Sequence, residues 1–173
     1  TTPTKIGAFT DATQIVAGSE FTCVLSSSGI VSCWGSNNVG QLGNGTTSGN
    51  QATPMAINGL MAIGIGAGAN HACAIQSGGS VRCWGINDYA QIGSTNLGPV
   101  SQPTLVNGAS DAAEVDGGTY HTCIRRSDGS VYCWGGLGDS FQTGEDYPYL
   151  GHSSPDGSPN PVAPTGSDVA TAT

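Results

Sequence analysis

Gly18-Ser19-Glu20-Phe21-Thr22-Cys23, Gly68-Ala69-Asn70-His71-Ala72-Cys73 and Gly118-Thr119-Tyr120-His121-Thr122-Cys123 are three versions of one hexapeptide, each 50 residues after the last. Ten residues beyond each cysteine a second one opens Cys-Trp-Gly, at Cys33-Trp34-Gly35, Cys83-Trp84-Gly85 and Cys133-Trp134-Gly135. Further out the copies continue. Gly40-Gln41-Leu42-Gly43 is echoed by Ala90-Gln91-Ile92-Gly93, and a Pro-x-x-apolar step closes the unit at Pro54 to Ile57 and at Pro103 to Val106. Self-similarity at this period marks a repeat architecture in which each unit buries its apolar face against the next, and a period of about 50 lies in the range of propeller blades.

Between the paired cysteines the residues read as a β-hairpin. Val24-Leu25 and Ile30-Val31 flank Ser26-Ser27-Ser28-Gly29; Ala74-Ile75 and Val81 flank Gln76-Ser77-Gly78-Gly79; Ile124 and Val131 flank Ser127-Asp128-Gly129. Apolar and β-branched stretches joined by such turns are hairpin signals. A turn midway places Cys23 opposite Cys33, Cys73 opposite Cys83 and Cys123 opposite Cys133, within reach of a bridge. An isolated hairpin is marginal, so a covalent staple has a structural purpose there. Zinc sites use Cys-x2-Cys or cysteines mixed with nearby histidines, a spacing these pairs lack, so no metal is expected. Strand side chains alternate, so Trp34, Trp84 and Trp134 point away from the face of their cysteines and are expected to pack between sheets. Three local cysteine pairs imply an oxidising, extracellular or cell-surface setting.

Composition excludes several function classes. Gly (28) and Pro (9) fill about a fifth of the 173 residues, which favours turns over helices. Lys+Arg total 4 against 12 Asp+Glu, a net charge of −8. Tracking phosphates, on nucleic acid or on an anionic membrane, needs clustered Lys and Arg. No apolar run nears the roughly 20 residues of a membrane span, and no charged start leads into an apolar stretch as in a signal peptide.

Gly-x-x-His-x-Cys, then Asp-Gly-Ser-Val-x-Cys-Trp-Gly, then Gly-Gln-Leu-Gly, resembles the regulator of chromosome condensation repeat. The likeness covers nearly the whole chain and is best over residues 18–57 and 68–106. The paired cysteines look like those of extracellular bacterial members. The resemblance implies an all-β propeller of four-stranded antiparallel blades, usually seven, with function on loops at the two faces. The nuclear member of the family activates a small GTPase and binds chromatin; no residue here matches a motif for either role, and the charge opposes chromatin. Departures are Phe21 in place of His71 and His121, and an insertion after Cys133-Trp134-Gly135 in which either Gln142-Thr143-Gly144 or Tyr149-Leu150-Gly151 stands for the Gln-Leu-Gly step.

The chain is therefore read as one array over 1–173, with repeats near 7–57, 58–106 and 107–164 and a tail or final strand at 165–173. Three blades do not close a ring, since propellers use about 4 to 8. Completion is expected from other chains, as a dimer or trimer, or from a longer parent protein.

Catalytic readings find little support. Nucleophilic catalysis needs an activated Ser or Cys beside a base, and the cysteines are spoken for. His71 and His121 share a repeat position, which points to a structural role, and His152 stands alone. Gly64-Ile65-Gly66-Ala67-Gly68 superficially suits a dinucleotide loop, but no helical pattern follows it. Asn44-Gly45-Thr46 is a glycosylation sequon. No enzyme activity and no cofactor are expected. Recognition is placed in the third-repeat insertion, where Phe141, Tyr147 and Tyr149 put three aromatics within nine residues, beside Asp139, Glu145 and Asp146. Loops that depart from a repeat tend to lie on its binding face. The expected function is a non-catalytic extracellular binding module: a surface adhesin or fibre-tip domain recognising a protein or glycan. A secreted inhibitor, like the propeller-type inhibitors of β-lactamase, and a filament building block are the alternatives.

Overall fold

The computed structural model describes residues 2–7, 9–94 and 96–136. Among these the chain forms only strands: β1 (Ala12–Ala17), β2 (Phe21–Ser26), β3 (Ile30–Gly35), β4 (Gln51–Met61), β5 (Gly64–Ala67), β6 (His71–Ile75), β7 (Val81–Gly85), β8 (Val100–Leu105), β9 (Ala112–Gly117), β10 (His121–Arg126) and β11 (Val131–Gly135). They make two four-stranded sheets in the orders β1-β2-β3-β4 and β5-β6-β7-β8, and a third whose described strands run β9-β10-β11. Every pairing is antiparallel between consecutive strands, as hairpin-linked blades require.

The hairpin register puts Cys23 opposite Cys33, Cys73 opposite Cys83 and Cys123 opposite Cys133, with Thr22, Ala72 and Thr122 facing Trp34, Trp84 and Trp134 one step along. All three cysteine pairs are bridged, with Cα atoms 4.1–4.2 Å apart. The glycine of each Cys-Trp-Gly has a φ that L side chains avoid, +110° at Gly35, +107° at Gly85 and +94° at Gly135. A Cβ there would collide with the backbone where the paired strand begins, at Glu20, Asn70 or Tyr120. Gly18, Gly68 and Gly118 instead lie under the rings of Phe21, His71 and His121. The Gly64–Gly68 stretch is accounted for by this packing: Gly64–Ala67 is a strand, and Gly66 meets the Val115 carbonyl of the next blade.

Among the described residues each core cluster is an interface between blades, which makes stability a sum over neighbours. Phe21, Cys23, Leu25, Val31, Cys33, Leu42 and Ile57 of the first blade pack on Ile65, Ala72, Ala74 and Trp84 of the second. Cys73, Ile75, Val81, Cys83, Ile92 and Val106 of the second pack on Ala112, Val115, Ile124 and Trp134 of the third. Trp84 and Trp134 thus each pack with the disulfide of the blade before, on the face that strand alternation dictates.

The outer faces of the described array show what is missing from this pattern. Ile15 is 66 % exposed, whereas Ile65 and Val115 at the same repeat position are 2 % and 9 % exposed. At the other end Val131 is 41 % exposed, against 0 % for Val31 and Val81. Trp34 is the departure from the expectation that all three tryptophans pack between sheets. It is half-buried and meets the Phe9 ring at 6.2 Å between centroids, because no blade precedes it in the described chain.

Candidate functional site

The loops that leave the first two Cys-Trp-Gly copies are pinned by an asparagine two residues later. Buried Asn37 donates from Nδ2 to Thr46 Oγ1 (2.9 Å), the Thr46 carbonyl (3.2 Å) and Asn44 Oδ1 (3.1 Å), while its Oδ1 accepts from the Leu42 amide (3.1 Å). Asn87 repeats the device, with the Ser94 and Asn96 carbonyls (3.1 and 2.7 Å) and the Ile92 amide (2.8 Å). Gln41 and Gln91 brace the same loops by accepting the Val39 and Tyr89 amides. The sequence carried a signal for this box in Trp-Gly-x-Asn at 34–37 and 84–87, and the third copy, Trp134-Gly135-Gly136-Leu137, lacks it. The sequon residue Asn44 is part of the box, its Oδ1 also accepting from the Thr46 amide.

The carbonyls of Gln41 and Gln91 tie neighbouring blades together. Trp84 Nε1 donates to the Gln41 carbonyl at 3.0 Å, and Trp134 Nε1 to the Gln91 carbonyl at 2.9 Å. At the second interface Thr122 Oγ1 also donates to the Gln91 carbonyl (2.8 Å), so its oxygen is left to accept from His71 Nε2 at 2.8 Å. That arrangement fixes the proton of the neutral imidazole on Nε2. At the first interface the same two positions are Phe21 and Ala72, an apolar pair in place of a hydrogen-bonded one. Sequence alone marked His71 and His121 as structural but not this partner exchange.

Burial pushes the His71 imidazole down from 6.5 to about 4, with the nearby His121 adding to the shift. Burial also lowers His121. The folded His71 refuses a proton that the unfolded chain accepts, so stability is full above pH 6.5 and falls as the pH drops towards 4. The shift corresponds to about 3 kcal/mol, reached once the pH is below both values. Urea unfolding at pH 7 and pH 4 is expected to show this loss. His71→Phe together with Thr122→Ala, which copies the first interface, is expected to abolish most of it; an unchanged pH dependence in that double variant would exclude His71 as its source.

Aromatic residues gather at the loop end of the second and third blades. Tyr89, in the loop after Asn87, and Tyr120, in the turn between β9 and β10, stand 4.4 Å apart between ring centroids at an interplanar angle of 42°. Tyr120 is 49 % exposed. The Tyr120 carbonyl accepts from the Gly136 amide at 2.6 Å, so the chain enters the insertion beside this pair. The six residues expected to recognise a ligand, Asp139, Phe141, Glu145, Asp146, Tyr147 and Tyr149, lie outside the described residues. Sequence reading missed Tyr89 and Tyr120 because they fall in different repeats, at positions where the other copies carry Val39 and Asn70.

The family model described as "Regulator of chromosome condensation (RCC1) repeat" matches residues 12–41, 62–91 and 113–142, and a second model of that description matches 28–75 and 78–125. Among solved structures, human WBSCR16 superposes with a TM-score of 0.77 at 20 % identity, over 92 % of this chain and 39 % of that one. Yeast RCC1 (Prp20) bound to Kap60 gives 0.74 at 24 % identity, over 94 % and 39 %. Prp20p from Saccharomyces cerevisiae, described with its binding properties to Gsp1p and histones, gives 0.72 at 24 %, over 94 % and 41 %. The chain thus spans about two-fifths of the length of these propellers. No curated protein matches it by sequence. Three matched repeats, blade-forming sheets in chain order and agreement with solved propellers converge on one conclusion: the chain belongs to the regulator of chromosome condensation (RCC1) repeat family.

Proposed function

We propose that the chain is a non-catalytic extracellular binding module, a surface adhesin or fibre-tip domain that holds a protein or glycan at the loop end of its blades and works as a homo-oligomer. The observation that carries this reading is the Tyr89–Tyr120 pair at the mouth of the insertion. In sequence Phe141, Tyr147 and Tyr149 follow it, interleaved with Asp139, Glu145 and Asp146. Tyrosine supplies a large rigid contact surface with a polar tip at little entropic cost, which suits both protein hot spots and sugar faces. Three disulfides are compatible with an oxidising, extracellular setting. Protein recognition has precedent on this fold in the complex of yeast RCC1 with Kap60.

Association between copies is supported by the repeat itself. Thr22 stands on one open face at the position of Thr122, and His121 on the other at the position of His71, so a head-to-tail contact would recreate the His71–Thr122 bond. The module reading is tested by screening the full, oxidised chain against glycan and surface-protein panels and repeating each hit with Tyr120→Ala. A loss of at least about tenfold is expected for removing an exposed aromatic anchor. Unchanged affinity for every hit would overturn the assignment of recognition to the loop end.

A further inference from the structure

Between the first two blades, away from the loop-end tyrosines, a cavity of about 690 Å³ opens against β4, β7 and β8. Its size is that of a small-ligand site. Arg82 lines it, and its guanidinium is held in place by two donated hydrogen bonds, from Nε to Gln76 Oε1 (2.7 Å) and from Nη1 to the Pro103 carbonyl (3.2 Å). No carboxylate pairs with it among the described residues, where the ion pair is Arg125 with Glu114. The cavity wall includes neither Asp nor Glu, although the chain carries 12 acids to 4 bases.

The remaining polar wall is amide. Asn44 and Gln76 have their side-chain oxygens engaged, by Asn37 and Thr46 and by Arg82, which leaves their NH2 groups as the unengaged ends. Asn58 and Gln102 also line the cavity and are exposed. The site therefore offers an oriented cation, free donors at Asn44 and Gln76, and amides at Asn58 and Gln102 that can both donate and accept. Sugar hydroxyls both donate and accept, which matches amide side chains that do the same. A sugar acid brings a carboxylate for the fork of the guanidinium, hydroxyl and ring oxygens for the amides, and C–H faces for Met55 and Pro103. The second interface lacks this chemistry: Arg126 and Tyr132 occupy the positions of Gln76 and Arg82, and the guanidinium lies over the ring at 3.8 Å.

We propose that this cleft binds the acidic unit of a saccharide, a uronic or sialic acid, with Arg82 taking the carboxylate. The site goes beyond the loop-end reading and shares none of its residues. The test is calorimetric titration of the full, oxidised chain with sialyllactose and with a glucuronic-acid-terminated disaccharide, against lactose as the neutral counterpart. One or both acids are expected to bind at least about tenfold more tightly than lactose, in line with a charged hydrogen bond, and whichever binds names the source of the carboxylate. Arg82→Gln and Gln102→Glu are each expected to weaken binding by about ten- to a hundredfold. Gln102 is exposed, so its variant tests the cleft even if Arg82→Gln fails to fold. Tyr120→Ala should leave this binding unchanged, which separates failure of the cleft from failure of the loop end. Absence of binding at millimolar sugar, equal binding of lactose, or full affinity in Gln102→Glu would each overturn the proposal, as would capture of acidic peptides in place of sugars.

Discussion

Reduction of the three disulfides is expected to unfold the protein at room temperature. Each bridge closes a loop of about ten residues, which removes chain entropy from the unfolded state worth about 2.7 kcal/mol. Three of them give about 8 kcal/mol, the same order as the whole stability of a typical domain. The loss matters more here because the core clusters of the described residues are interfaces between blades, two of the bridges sit inside them, and an unstapled hairpin is marginal by itself. The bridges should not open together. Cys23, Cys33, Cys73 and Cys83 are at most 1 % exposed, whereas Cys123 is half-buried on the open face of the third blade. Thiol labelling during graded reduction is therefore expected to tag Cys123 and Cys133 first, with loss of cooperative melting once the inner pairs follow. Equal melting temperatures with and without reductant would show that interblade packing alone holds the fold.

The second large effect is a contrast between two residues at one repeat position. Trp84→Ala is expected to cost about 3–5 kcal/mol, since it empties a fully buried site between blades and strips the Gln41 carbonyl of its donor. Trp34→Ala should cost clearly less, about 1–2 kcal/mol, because its ring is only half-buried, stacked on Phe9 at the open face of the first blade. Urea unfolding of the two variants gives both numbers. The comparison also reports on association: if Trp34→Ala proves as costly as Trp84→Ala at high protein concentration and cheap at low concentration, a second copy covers the first blade. Light scattering on the same samples should then give a dimer or trimer. A monomer at every concentration would refute the homo-oligomer.

Much of this fold was legible in the order of residues. The period of 50, the hairpin between paired cysteines, the bridging partners and the opposite facing of Cys33 and Trp34 all follow from local rules. Strand alternation and hairpin register act over a handful of residues, so a sequence that repeats its turn and its cysteines leaves them little choice. The asparagine box at Asn37 and Asn87 was present in the same repeat, but its chemistry lies in side-chain hydrogen bonds, five at Asn37 and three at Asn87, that only the folded loop forms. An asparagine in a glycine-rich loop reads as a turn residue, whatever its burial.

What the sequence by itself determined was the blade: three stapled hairpins, each with a tryptophan on the far face. What only the tertiary structure decided was how blades meet. It separated Trp34 from Trp84 and Trp134, matched Phe21 with Ala72 and His71 with Thr122, brought Tyr89 to Tyr120, and set Arg82 in an acid-free cleft. The reason is one of distance along the chain. His71 and Thr122 are 51 residues apart, so their pairing is set by the stacking of whole sheets, which no local pattern encodes.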